Sequence, residues 1–180
     1  MTPTRRHSLL LISLLLLALT PARGEVIKEN AGWYSVDIPL PFERDDQFTD
    51  SELGKLRLFT LSHDGGTVAY NVSYSDYPDG AFAGRDLSAL INVLVRAQTQ
   101  SMRATVRSTV PSQLGDIVGQ ETILDVPSQH AVFRLRNYIV GDRLFQVTYM
   151  GPAGSEAGPE ALKFLNSFKL IHLPKAHPAQ

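Results

Sequence analysis

The chain has 180 residues, 43% hydrophobic and 19% charged, which suits one globular domain and excludes a disordered tail or a fibrous repeat. Its formal net charge is −1, with no basic run that would track a nucleic acid. There is no cysteine, so disulfides, thiolate metal sites and a cysteine nucleophile are excluded. In chain order, Arg5-Arg6-His7 and the apolar run Leu9 to Leu19 read as a secretory signal peptide over residues 1–22, with cleavage after Ala22 or Gly24. That run is too short to cross a bilayer, which takes roughly 20 residues. Removing it takes Arg5 and Arg6 from 17 basic residues and leaves all 18 acidic ones, so the mature chain carries −3. The expectation is an exported protein, periplasmic or secreted, with no transmembrane segment in the mature chain.

In "WYSVDIP", Val36 and Ile38 alternate with Ser35 and Asp37, the period of a half-buried strand, which Pro39 and Pro41 end. The segment "ERDDQFTDSELG", residues 43–54, reads as an acidic loop. "KLRLFTLS" and "TVAYNVSYSDY" read as strands of a hairpin turning at His63-Asp64-Gly65-Gly66, where glycines supply positive φ. Leu87, Leu90, Ile91, Leu94 and Met102 fall at helical spacing and predict a helix from Phe82 to Ser101. "ATVRSTV" predicts a strand stopped by Pro111, followed by "IVGQETILDV" and "HAVFRLRNYIV". "GDR" turns the latter into "LFQVTYM". Pro159 opens a closing helix with Leu162, Leu165 and Phe168 on one stripe and Phe164 beside it. The order βββ-α-ββββ-α lacks repeated βαβ units. It predicts an α+β domain over residues 25–172, with a mostly antiparallel sheet of about six or seven strands, a long helix after the third and a short C-terminal helix. Residues 173–180 read as a loose tail.

Residues able to carry chemistry are scattered. No G-x-S-x-G occurs, and Ser155 stands where a helix N-cap would. His63, His130, His172 and His177 are isolated, without zinc-ligand spacing, and His63 is expected to be solvated at its turn. "GDIVGQE" lacks the Lys-Ser/Thr of a phosphate-binding loop. Glu43, Asp45, Asp46, Asp50 and Glu52 form a carboxylate cluster that would suit calcium, but the EF-hand pattern is absent and a solvated loop is the plainer reading. Arg134 and Arg136 share one strand face, and Arg103 and Arg107 another. Neighbouring strands would make these an anion-binding patch, but exposed strand positions offset by nearby Glu121 and Asp125 are the plainer reading. Asn71-Val72-Ser73 fits a glycosylation sequon, but within a strand it reads as incidental.

"WYSVDIPLPFE" resembles the F-x-V-x-x-P-x-x-(P/W) opening of PsbP-like proteins, and "GPEALKFLNSFKL" resembles their F-x-x-S-F-x-(L/V) ending. The elements between, including "YIVGDRLFQVTYMGP", come in the order that family uses. The resemblance covers nearly the whole mature chain. It implies an α/β/α sandwich with a central antiparallel sheet, shared by a photosystem II extrinsic subunit, a Ran-binding import factor and exported bacterial proteins. It also implies an accessory or binding role with no catalytic motif, so it transfers no catalytic, cofactor or metal residues. The expected function is an exported, non-enzymatic accessory domain with no cofactor, contacting an envelope protein or a small ligand. The alternatives are a calcium- or anion-responsive protein using residues 43–52, and a hydrolase using groups such as Asp46 and Arg134.

Overall fold

In the computed structural model, residues 24–51 and 53–171 are described. The expected leader over 1–22, the tail over 173–180, Glu52, His172 and His177 lie outside them. Gly24, one of the two expected cleavage positions, is the first residue of the first strand and pairs with Pro39; Ala22, the other, lies outside the described residues.

Among the described residues, ten strands and two α-helices follow one another. The strands before the first helix are β1 (Gly24–Glu29), β2 (Tyr34–Pro39), β3 (Glu43–Ser51), β4 (Gly54–Asp64) and β5 (Ala69–Asp76). Helix α1 (Leu87–Met102) leads into β6 (Thr105–Leu114), β7 (Ile117–Val126), β8 (Ala131–Val140) and β9 (Arg143–Pro152). Helix α2 (Pro159–Ser167) and β10 (Lys169–Leu170) close the fold. A seven-stranded antiparallel sheet runs β3-β4-β5-β9-β8-β7-β6, and a separate sheet runs β1-β2-β10. Both expected hairpin turns are present: Gly65 N donates to Val68 O at 2.9 Å with Gly66 at φ 79°, and the two-residue loop Gly141-Asp142 joins Val140 to Arg143.

Two cores sandwich the large sheet. On one face, Ile91 and Val95 of α1 pack on Leu124, Leu135, Ile139 and Leu144. The opposite face carries the larger core, where α2 and the small sheet bring Phe164, Leu165, Phe168, Tyr34, Val36 and Ile38 onto Tyr70, Val72, Tyr138, Phe145 and Val147. "WYSVDIP" is therefore a strand, and its alternation is real, but it belongs to the small sheet rather than the central one. Tyr34 is fully buried and Phe42 packs against the same core.

Several expectations are corrected. Residues 43–51 are not a loop but β3, in continuous register with β4 from Glu43↔Ser62 to Ser51↔Gly54. An edge strand open on both faces needs no apolar alternation, so its charges hid it; charge on an edge also discourages unwanted pairing. The long helix follows five strands, not three, and begins at Leu87 rather than Phe82. Residues 77–85 are held as a turn by Asp142, whose carboxylate accepts from Gly80 N at 2.7 Å and Phe82 N at 2.9 Å. Asp86 then caps the helix, accepting from Ser88 N and Ala89 N at 2.9 and 3.1 Å. Val95 replaces Leu87 in the buried stripe of α1; Leu87 is exposed. Arg103 ends that helix in the left-handed region at φ 51°, so it does not share a strand face with Arg107. Pro111 lies inside β6 opposite Gln120, tolerated because β6 is the other edge strand. In α2 the buried residues are Ala161, Phe164 and Leu165, with Leu162 only half-buried. Gly158, not Ser155, is the residue before its first turn.

Candidate functional site

The larger core face of the sheet brings the arginines and carboxylates together. Arg134 and Arg136 stand two residues apart on β8, so they share a face, and Glu121 of β7 lies directly opposite Arg136. Glu121 accepts from Arg134 Nη2 and Arg136 Nε, each at 2.7 Å. Arg136 Nη1 also donates to Leu165 O and Asn166 Oδ1 at 3.0 Å, satisfying a free carbonyl at the end of α2. Arg134 Nη1 donates to Glu156 O at 2.9 Å, and Arg107 pairs with both Asp125 and Glu156. Three guanidinium groups thus meet three carboxylates. Glu121 and Asp125 offset the arginines, and the cluster ties α2 and its preceding loop to the sheet instead of leaving a free anion-binding patch.

Burial pushes the Glu121 carboxyl up, but the hydrogen bonds and charges of Arg134 and Arg136 outweigh it and hold the group below its ordinary value. A depressed folded-state pKa stabilises the fold above the ordinary glutamate range, and that contribution is lost as pH falls through the depressed value. Glu121→Gln is expected to cost about 2 kcal/mol at pH 7, the scale of hydrogen bonds to charged groups. Urea unfolding of both proteins should show this gap closing on acidification. A gap unchanged from neutral to strongly acidic pH would mean that Glu121 does not act as a paired carboxylate.

The expected carboxylate cluster does not converge. Alternation along β3 puts Asp46 and Asp50 on one face and Glu43 and Asp45 on the other. Asp46 is engaged by Arg57, which donates to its two oxygens at 2.8 and 2.6 Å. Among the described residues, no group of three or more His, Asp or Glu side chains is placed to hold a metal ion. Asp46 and Arg134 sit on β3 and β8, four strand positions apart, so they do not share a site. His63 is not solvated at a turn. It lies buried in β4 with Nδ1 at 2.6 Å from Pro41 O. His130 is exposed, following a short 3-10 turn. Ser155 Oγ donates to Pro152 O at 2.7 Å and accepts from Tyr149 at 3.0 Å, a structural arrangement with no base beside it. Asn71 sits in β5, between β4 and β9.

One concave feature escaped the sequence reading because its parts come from opposite ends of the chain. Along the seam between the small sheet and α2 lie two adjoining cavities of about 210 and 320 Å³. The first is lined by Asp37, Tyr70, Glu160, Lys163 and Phe164, and the second by Ser35, Asn166, Ser167 and Lys169. Asp37 and Lys163 line both and meet between them at 2.9 Å, with the Lys163 side chain 68% exposed. Asp37 is anchored from behind, since its backbone N donates to Ser167 Oγ at 2.9 Å while that hydroxyl donates to Phe164 O. Burial, and then the nearby Glu160 charge, push the Tyr70 phenol up to about 12, so it stays a hydrogen-bond donor at neutral pH. The seam thus offers carboxylates, an ammonium, a phenol and the apolar wall of Phe164. Among the described residues, no helix is long and apolar enough to cross a membrane.

No protein-family model and no curated protein matches the sequence. Solved structures do. The solution structure of cyanobacterial PsbP from Synechocystis sp. PCC 6803 is similar at a TM-score of 0.55 and 10% identity, covering 85% of this chain and 95% of its own. A Pseudomonas aeruginosa protein of unknown function, described as a putative regulator, is 9% identical, covering 78% of this chain and 86% of its own at a TM-score of 0.37. A Bacteroides thetaiotaomicron protein is 13% identical at a TM-score of 0.39, covering 88% of this chain and 52% of its own. The seven-stranded sheet with α1 on one face and α2 on the other is a PsbP-like fold.

Proposed function

We propose that this chain is an exported, non-enzymatic accessory domain that binds a small zwitterionic ligand, such as an amino acid or short peptide, in the seam between α2 and the small sheet. The observation that carries this reading is the pair of cavities meeting at the Lys163–Asp37 bridge. Its Lys163 end is 68% exposed, and exposed ion pairs contribute roughly 0–1 kcal/mol, so a ligand carboxylate can compete with Asp37 for Lys163 at small cost. A ligand carboxylate would take Lys163, its amine would face Asp37 and Glu160, and an apolar side chain would lie on Phe164. Combined, the cavities reach the lower end of ordinary ligand pockets, which run roughly 300–1,000 Å³. The leader-like sequence over residues 1–22 supports export.

The test is a titration of the ¹⁵N-labelled protein with amino acids and di- and tripeptides, followed by amide shifts. Saturable shifts are expected at Asp37, Tyr70, Lys163 and Phe164, and Lys163→Glu should weaken binding at least about tenfold, the scale of one lost charged contact. Saturable shifts clustered elsewhere, or binding indifferent to Lys163→Glu, would reject the seam as the site.

A further inference from the structure

The two edges of the large sheet are unlike. Edge strand β6 is interrupted by Pro111 and by a register shift between Val106 and Ser108. Edge strand β3 has neither: nine residues run in unbroken register with β4, without proline. Among the described residues its outer N–H and C=O groups have no strand partner, and eight of its nine residues are exposed, with Phe48 exposed to 66%. A long, regular edge is a template for another strand, and the charges along it determine which strand fits.

We propose that the edge fits a second copy of itself, and that two chains pair antiparallel through β3 about a two-fold axis at Gln47, joining two seven-stranded sheets into one. Full-length antiparallel alignment of Glu43–Ser51 with itself sets Arg44 opposite the partner's Asp50, and Asp50 opposite the partner's Arg44. Glu43 then faces the partner's Ser51, Asp45 the partner's Thr49, Asp46 the partner's Phe48, and Gln47 the partner's Gln47. No like charges are opposed. Arg44 can turn to this role, because its contact to Glu29 is a loose 3.9 Å, its side chain is 48% exposed and its remaining contact is with the Phe42 ring, 4.8 Å from its centroid. The two Phe48 rings become diagonal neighbours on one face, within the roughly 7–8 Å reach of aromatic side chains. Slipping two residues one way opposes Asp46 with the partner's Asp46, and slipping the other way opposes Asp46 with the partner's Asp50. A one-residue slip sends each side chain to the wrong face. The acidic residues that would repel other registers thus select this one, and a closed two-fold pair leaves no free β3 edge.

Sedimentation equilibrium of the purified full chain over a range of concentrations tests this. A monomer–dimer equilibrium is expected. Asp50→Arg, which opposes two arginines with two arginines, should weaken dimerisation at least about tenfold. The charge-swapped double variant Arg44→Asp/Asp50→Arg should restore it. Circular dichroism melts at low concentration, where the monomer dominates, establish that each variant folds. A chain that stays monomeric at every concentration overturns the proposal. So does a dimer that Asp50→Arg leaves intact, or one that the double variant fails to rescue.

Discussion

Phe168→Ala is expected to destabilise the domain by about 3–5 kcal/mol, the cost of emptying a large aromatic site in a close-packed core. Phe168 is only 3% exposed and sits just past α2, where the chain turns extended toward β10. Its ring lies 5.4 Å from Tyr34, 5.8 Å from Phe145 and 6.4 Å, stacked, from Tyr138. Those rings come from β2, β9 and β8, so the one side chain joins the small sheet to the large one. Tyr34 and Phe145 are held by their own strands and cannot collapse into the space. At roughly 2–4 °C per kcal/mol for a domain of this size, the melt should fall by about 10 °C. A fall of less than about 2 °C would mean that the site closes over and Phe168 does not join the layers.

Arg143→Ala is the second large effect. The guanidinium is 6% exposed and lies between the rings of Trp33 and Tyr74, 3.8 and 4.2 Å from their centroids. Two of its nitrogens grip Asp76 and Nη1 donates to Ala31 O at 2.8 Å. Removing it strips a fork of hydrogen bonds, deprives Asp76 of its partner and exposes the face of Trp33. Deleting one member of a buried pair costs about 3–5 kcal/mol, but Asp76 is one-third exposed, so about 2–4 kcal/mol is expected here. Arg143→Lys should recover less than half, because an ammonium cannot form the fork or stack as a plane. Trp33 is the only tryptophan, so a red shift of its emission should accompany the loss. A variant with unchanged melt and unchanged emission would show that the clamp contributes nothing.

The sequence made the parts of the fold with local signatures legible. Gly65-Gly66 and Gly141-Asp142 marked hairpins because tight turns demand particular backbone angles. Pro159 marked the start of α2, and "IVGQETILDV" coincides with β7. What stayed hidden has no local signature. A strand exposed on both faces, such as β3, shows no period-2 pattern, and β6 passes through Pro111 because only an edge permits it. Strand β1 follows directly on the leader-like segment in the sequence, and its "GEVIKE" has a single buried residue, Ile27. The Arg134–Glu121–Arg136 pairing was largely legible, since period 2 gave the shared face and Glu121 was named as an offsetting carboxylate; the register of β7 on β8 set it directly opposite Arg136. The clamp on Arg143 depends on Trp33, more than a hundred positions earlier and held at φ 62° by its turn. The seam likewise joins Asp37 to Lys163, two ends of the chain that only the docking of α2 on β2 brings together.

The seam as binding site is tested most directly by site-specific photo-crosslinking in the cell that makes this protein. A photoreactive residue placed at Asn166 or Lys169, on the seam but outside the groups that hold the ligand, should yield a crosslinked adduct that an excess of the bound amino acid or peptide abolishes. The same residue at Arg96, exposed on α1 across the large sheet, should yield none. Equal crosslinking at Arg96, or no adduct from either seam position in a folded protein, would contradict it.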